Sequence, residues 1–138
     1  MKPQLGDTIL NRYTLVSSLR EEPGIQAWKA NDRVLAKDCQ LFIITNRSAF
    51  AAIDELAGRM AATRPDRVIP ILKYRMESDV LLIVMPVDSG QCLTDYMVDT
   101  AKPLSYSAIR SIIGECADVL REVIADTPSG IVITTDTV

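Results

Sequence analysis

The 138-residue sequence predicts an α+β fold: a five-stranded antiparallel sheet with one helix inserted after its third strand, followed by further helices. Three observations predict it. Short runs rich in β-branched and aromatic residues alternate with turn signals. A stripe of apolar residues at helical spacing, Ile53 to Ala61, interrupts those runs after the third of them. A longer stripe, Ile109 to Ile124, follows the last.

Thr8 to Leu19, entered through Asn11-Arg12, reads as the first strand, and Gln26 to Asn31 as its antiparallel partner after the turn residues Pro23-Gly24. Asp38 to Thr45 forms the third strand, with Leu41-Phe42-Ile43-Ile44 too continuously apolar to face water on one side. Ser48 is the expected cap of the first helix, in which Ile53, Leu56, Ala57, Met60 and Ala61 share one face. Thr63-Arg64-Pro65-Asp66 marks its end. Val68 to Tyr74 and Val80 to Val87 read as two more strands joined through Glu77-Ser78-Asp79. Leu93 to Val98 predicts a short helix. Pro103-Leu104-Ser105 opens a longer one that carries Ile109, Ile112, Ile113, Cys116, Ala117, Leu120, Val123 and Ile124 on one face.

Composition narrows the function classes. Net charge is −3, which provides no electrostatic footprint for nucleic acid. The three cysteines, Cys39, Cys92 and Cys116, are widely spaced and the chain has no histidine, so neither a zinc site nor a disulfide framework is expected. A reducing, cytoplasmic location fits that usage. Met1 to Asp7 lacks the apolar core of a signal peptide, and no apolar run approaches membrane-spanning length.

Leu19-Arg20-Glu21-Glu22-Pro23-Gly24-Ile25-Gln26-Ala27-Trp28-Lys29-Ala30 falls on the frame L-G-x-G-x-x-G-x-V-[YW]-x-A, and Cys39-Gln40-Leu41-Phe42 on V-A-[VI]-K. Arg64-Pro65, Val84-Met85, Gly90 and Cys92-Leu93 extend the match along H-P…V-M…G-x-S-L. The chain thus resembles the protein kinase family, in particular the bacterial serine/threonine kinases. The resemblance implies a kinase-like small lobe over residues 1–87, then the hinge and first helices of an incomplete large lobe over 88–138. It also implies a gatekeeper at Met85, a hinge from Pro86 to Asp88, and an adenine-facing surface of Ala27, Gln40, Met85, Pro86 and Asp88.

The chemistry of that family is missing from the motifs. Arg20, Glu22 and Ile25 occupy the three glycine positions, so the loop loses the close backbone approach and free positive φ that phosphate binding uses. Phe42 occupies the phosphate-pairing lysine position. For the helix glutamate, counting back from Pro65 gives Glu55 while matching the apolar stripe gives Ile53; the stripe is the better guide and makes Glu55 a solvated residue. After the long helix, Gly130-Ile131 and Asp136-Thr137-Val138 match parts of the catalytic loop, but H-R-D is absent. In a shifted frame Asp136 would be the catalytic aspartate; otherwise it is a solvated turn residue.

The resemblance therefore implies a catalytically inactive, pseudokinase-like regulatory or scaffolding domain, the N-terminal part of a longer protein, acting through a protein partner. No cofactor is expected: ATP would be held weakly through its base, and magnesium has no evident ligand. Two alternatives remain open. One is a nucleotide-binding or active kinase fragment with its lysine relocated to Lys29, which strand alternation puts on the face of Ala27, and with catalytic residues beyond the chain end. The other is an unrelated α+β protein-interaction module. The stripe of the last helix, Ile113 and Leu120 included, is expected to be covered by self-association, by residues 130–138 or by the rest of a longer polypeptide.

Overall fold

The structure is a computed structural model that describes residues 2–63, 68–77, 79–87 and 90–124. The chain divides into two compact units, Met1–Arg64 with Ile69–Asp88, and Pro65–Val68 with Ser89–Val138. The fold is α+β.

The first unit holds a six-stranded antiparallel sheet in the order β1-β2-β3-β4-β6-β5. Its strands are β1 (Thr8–Ile9), β2 (Tyr13–Glu22), β3 (Ile25–Asp32), β4 (Lys37–Ile44), β5 (Lys73–Met76) and β6 (Leu81–Pro86). The five expected strands become six because the first breaks in two. Leu10 and Asn11 both adopt positive φ, 53° and 54°, and the Arg12 amide donates to the Ile9 carbonyl at 3.0 Å. That turn folds β1 back along β2, pairing Ile9 with Tyr13 and Thr8 with Thr14. The fourth expected strand is shorter than its apolar run. Pro70 has no N–H to donate; the Leu72 amide donates to the Val84 carbonyl at 2.8 Å and the strand runs from Lys73 to Met76.

Between β4 and β5 the chain makes a short 3-10 turn, Arg47–Ala49, and then helix α1, Phe50–Thr63. Asn46 caps the 3-10 turn that leads into the helix: its Oδ1 accepts from the Ser48 amide at 3.2 Å and from the Ser48 hydroxyl at 2.7 Å, which places Ser48 inside that turn.

Each face of the sheet carries a buried cluster, formed by different means. Paired residues in neighbouring antiparallel strands point the same way, so Ile25, Ile44 and Leu81 share a face with Phe42, Ile83 and Met85. There Ile44, Phe50, Leu81 and Ile83 form a buried cluster, against which Ile25, Phe42, Ile53, Ile71 and Met85 pack. Phe50 and Ile53 bring α1 into it. The opposite face gathers Tyr13, Leu15, Trp28, Ala30, Cys39, Leu41, Ile43, Leu82 and Val84, flanked by Ile9, Leu10 and Val80. All of these come from strands and strand connections. Register shifts between Leu15 and Ser17 and between Ser18 and Arg20 mark bulges in β2, which raise its local twist and curl the sheet over this cluster.

The second unit contains α2 (Leu93–Thr100) and α3 (Tyr106–Ile124). Ala101, in the left-handed region at φ 47°, ends α2. Ser105 starts α3, its hydroxyl accepting from the Ala108 amide at 3.2 Å and its carbonyl from the Ile109 amide at 3.0 Å. Among the described residues of α3, Ile109 and Ile113 are exposed while Ile112, Cys116, Ala117 and Leu120 are half-buried.

Candidate functional site

The expected site residues converge on the α1-facing side of the sheet. Strand pairing forms three rows across it: Arg20, Ala27, Phe42, Ile83 and Tyr74; Glu22, Ile25, Ile44, Leu81 and Met76; and Lys29, Gln40 and Met85. Arg20, Glu22, Ile25, Ala27, Gln40, Phe42 and Met85 thus share one surface, with Ile53 of α1 packed on the same cluster as Phe42. Pro86 is opposite Cys39 and belongs to the other face. Asp88 and residues 130–138, Asp136 included, lie outside the described residues.

The chemistry at these positions is self-contained. Arg20 and Glu22 pair with each other, Nε to Oε1 at 2.6 Å and Nη2 to Oε1 at 2.5 Å. Both are well exposed, so the pair contributes little to stability, but each charge has its partner. Glu21 is ion-paired with Lys2, whose hydrogen bond lowers the Glu21 pKa. Phe42 and Ile53, at the two positions where the resemblance implies a lysine–glutamate ion pair, both pack into apolar surroundings. Glu55 faces away and bonds Arg59 one turn on, at 2.6 Å.

Lys29 does lie on the face of Ala27, but it is engaged. Its ammonium sits 3.0 Å from Asp38, which also accepts from the Asn31 amide group at 3.1 Å. The hydrogen bond from Lys29, then that from Asn31, lowers the Asp38 pKa.

At the hairpin tip, Pro23 and Gly24 make the turn between β2 and β3, Gly24 at φ 80°. The Gly24 carbonyl accepts from the Thr45 amide at 2.8 Å and from the Asn46 amide at 3.4 Å. Beside it an open cleft of about 510 Å³ is lined by Lys2, Pro3, Glu21 to Gln26, Ile43 and Thr45. The cleft takes in the tip but not Ala27, Gln40, Phe42 or Met85.

A doubly hydrogen-bonded charge pair with a buried aspartate lies at the other end of the sheet, and sequence reasoning missed it. Asp32, 4% exposed, accepts from Arg12 twice, Nε to Oδ1 at 2.9 Å and Nη2 to Oδ2 at 2.6 Å, and from the Val34 and Leu35 amides at 3.0 and 3.2 Å. Those bonds, Arg12 foremost, hold its pKa down at about 2 against burial, which works in the opposite direction. The Arg12 guanidinium also lies 5.2 Å from the centre of the Tyr13 ring. The available signal was the aspartate at a strand end with free amides two and three residues on; Arg12 gave none. Nearby, burial raises the Cys39 thiol pKa, so this cysteine is an inert core residue.

No group of three or more potential metal-ligating side chains occurs among the described residues, and no helix there is long and apolar enough to cross a membrane. No protein-family model matches the chain, and no curated protein matches its sequence.

Proposed function

We propose that this chain is a catalytically inactive kinase-like domain with a regulatory or scaffolding role, exercised by binding a protein partner. The observation that carries the reading is the packing of Phe42 and Ile53: the strand and helix positions where the resemblance implies an ion pair over the nucleotide phosphates are apolar and join one cluster with Ile44, Phe50, Leu81 and Ile83. A lysine there would bind phosphate as a point charge; a phenyl ring offers no donor. The arrangement of a helix inserted after the third long strand of an antiparallel sheet supports the same reading. So does the tip, where Arg20 and Glu22 neutralise each other and the Gly24 carbonyl accepts from the Thr45 and Asn46 amides.

Adenine without its phosphates remains compatible with the surface formed by Ala27, Gln40 and Met85. The relocated-lysine alternative rests on Lys29, and would require Lys29 to leave Asp38. A thermal-shift series with adenosine, ATP and Mg-ATP, run beside a phosphoryl-transfer assay, tests the proposal. The expected result is no magnesium-dependent stabilisation and no transfer. A shift that needs both phosphates and magnesium, and that disappears in Lys29→Ala, would establish the alternative.

A further inference from the structure

The β2–β3 tip and the capped 3-10 turn before α1 are separate elements in sequence, yet they meet at one acceptor just past the Ile25–Ile44 pair of the sheet. The Gly24 carbonyl receives the Thr45 amide at 2.8 Å and the Asn46 amide at 3.4 Å, and Asn46 is itself the residue whose side chain receives the Ser48 amide and hydroxyl. The approach is tight: a Cβ added at Gly24 would stand 2.9 Å from the Asn46 Cβ, and the φ of 80° already excludes most side chains. Pro23 restricts the preceding torsion, so the tip presents its carbonyl in one direction. Glycine at position 24 is thus required twice, by the turn and by the contact.

We propose that the Gly24 carbonyl is a latch that makes the hairpin tip and the 3-10 turn leading into α1 one cooperative unit, each ordered only while the other is. The inference does not depend on the kinase-like reading. The tip cannot lift without freeing the Thr45 and Asn46 amides, and freeing Asn46 loosens the cap of the 3-10 turn that leads into the helix. Gly24 and Thr45 also line the open cleft, so the latch forms part of its wall.

Reciprocity is the signature of such coupling, because two sites linked through one equilibrium influence each other equally. Amide hydrogen exchange, resolved by residue in the full chain, reads it from both ends. Asn46→Ala removes the side-chain acceptor and leaves every main-chain group of the latch in place. It is expected to speed exchange about tenfold at Ser48 to Phe50 and also at the tip, Ile25 and Gln26, and at Thr45. Gly24→Ala is expected to do the same from the other end. Ala30 and Cys39, paired in the middle of the sheet, should keep their rates in both variants. If Gly24→Ala fails to fold, Asn46→Ala alone decides, since an exposed cap is not needed for the sheet to form. Acceleration confined to the helix start, or none at all at the tip, would overturn the proposal.

Discussion

Both units of this chain carry strong apolar patterns, and over the described residues they bury them to different degrees. In the first, Leu15, Leu41 and Leu81 are at most 1% exposed. In the second, no residue of α2 and none of residues 106–122 of α3 is buried, although α3 has an apolar stripe and Ile113 is 62% exposed. The difference lies in what supplies the cover. A bulged, twisted sheet covers one of its faces with its own strands, and the adjoining α1 covers the other. A helix has one apolar stripe and needs a second layer to bury it.

The sharpest way to break this comparison is to cut the same kind of side chain in both units. Leu41→Ala empties a fully buried position and should cost about 2–5 kcal/mol in denaturant unfolding. Ile113→Ala should change stability by less than about 0.5 kcal/mol, since it uncovers nothing and alanine favours helix. Equal losses would show that α3 is packed as tightly as the sheet.

Phe42→Lys comes next. Phe42 is half-buried against the α1-side cluster, so a lysine there loses packing while part of its stem reaches water; about 1–3 kcal/mol of stability should go. Phosphate binding should not return, because the tip and Ile53 are unchanged.

The Arg12–Asp32 pair tests the far end of the sheet through pH. Asp32 titrates near 2 in the folded chain against an ordinary 3.8, so its contribution is complete above about pH 4 and is lost as pH falls toward 2. On the order of 1–2 kcal/mol is at stake. The stability difference between the wild type and Asp32→Asn should therefore shrink over that window in unfolding curves taken from pH 6 down to 2. The smallest effect belongs to Glu55→Ala, whose exposed pair with Arg59 should be worth about 0.3–0.5 kcal/mol.

Patterns of period two and 3.6 carried most of the fold. The strands around Leu41, Ile43 and Leu82, the helix bearing Ile53 and both later helices lie where those patterns place them, because side-chain alternation is local information. The breaks in pattern were illegible for equally physical reasons. Leu10 at positive φ is unusual enough that nothing in its identity announces the turn that splits β1 from β2. Ser48 and Asn46 are both good cap residues, and the 3-10 turn that puts Asn46 in the capping position is not visible in the apolar pattern. At the candidate site, the sequence registered that Phe42 and Ile53 are not charged; that they pack on one cluster, and that Lys29 and Arg20 have their own partners, required the strand register.

The proposed function rests on the apolar packing of Phe42 and Ile53 at the positions where the kinase resemblance implies phosphate chemistry. Titration calorimetry of Mg-ATP into the purified chain tests it most directly. The account predicts no saturable heat at micromolar nucleotide and the same trace with and without magnesium. Micromolar, magnesium-dependent binding would contradict it.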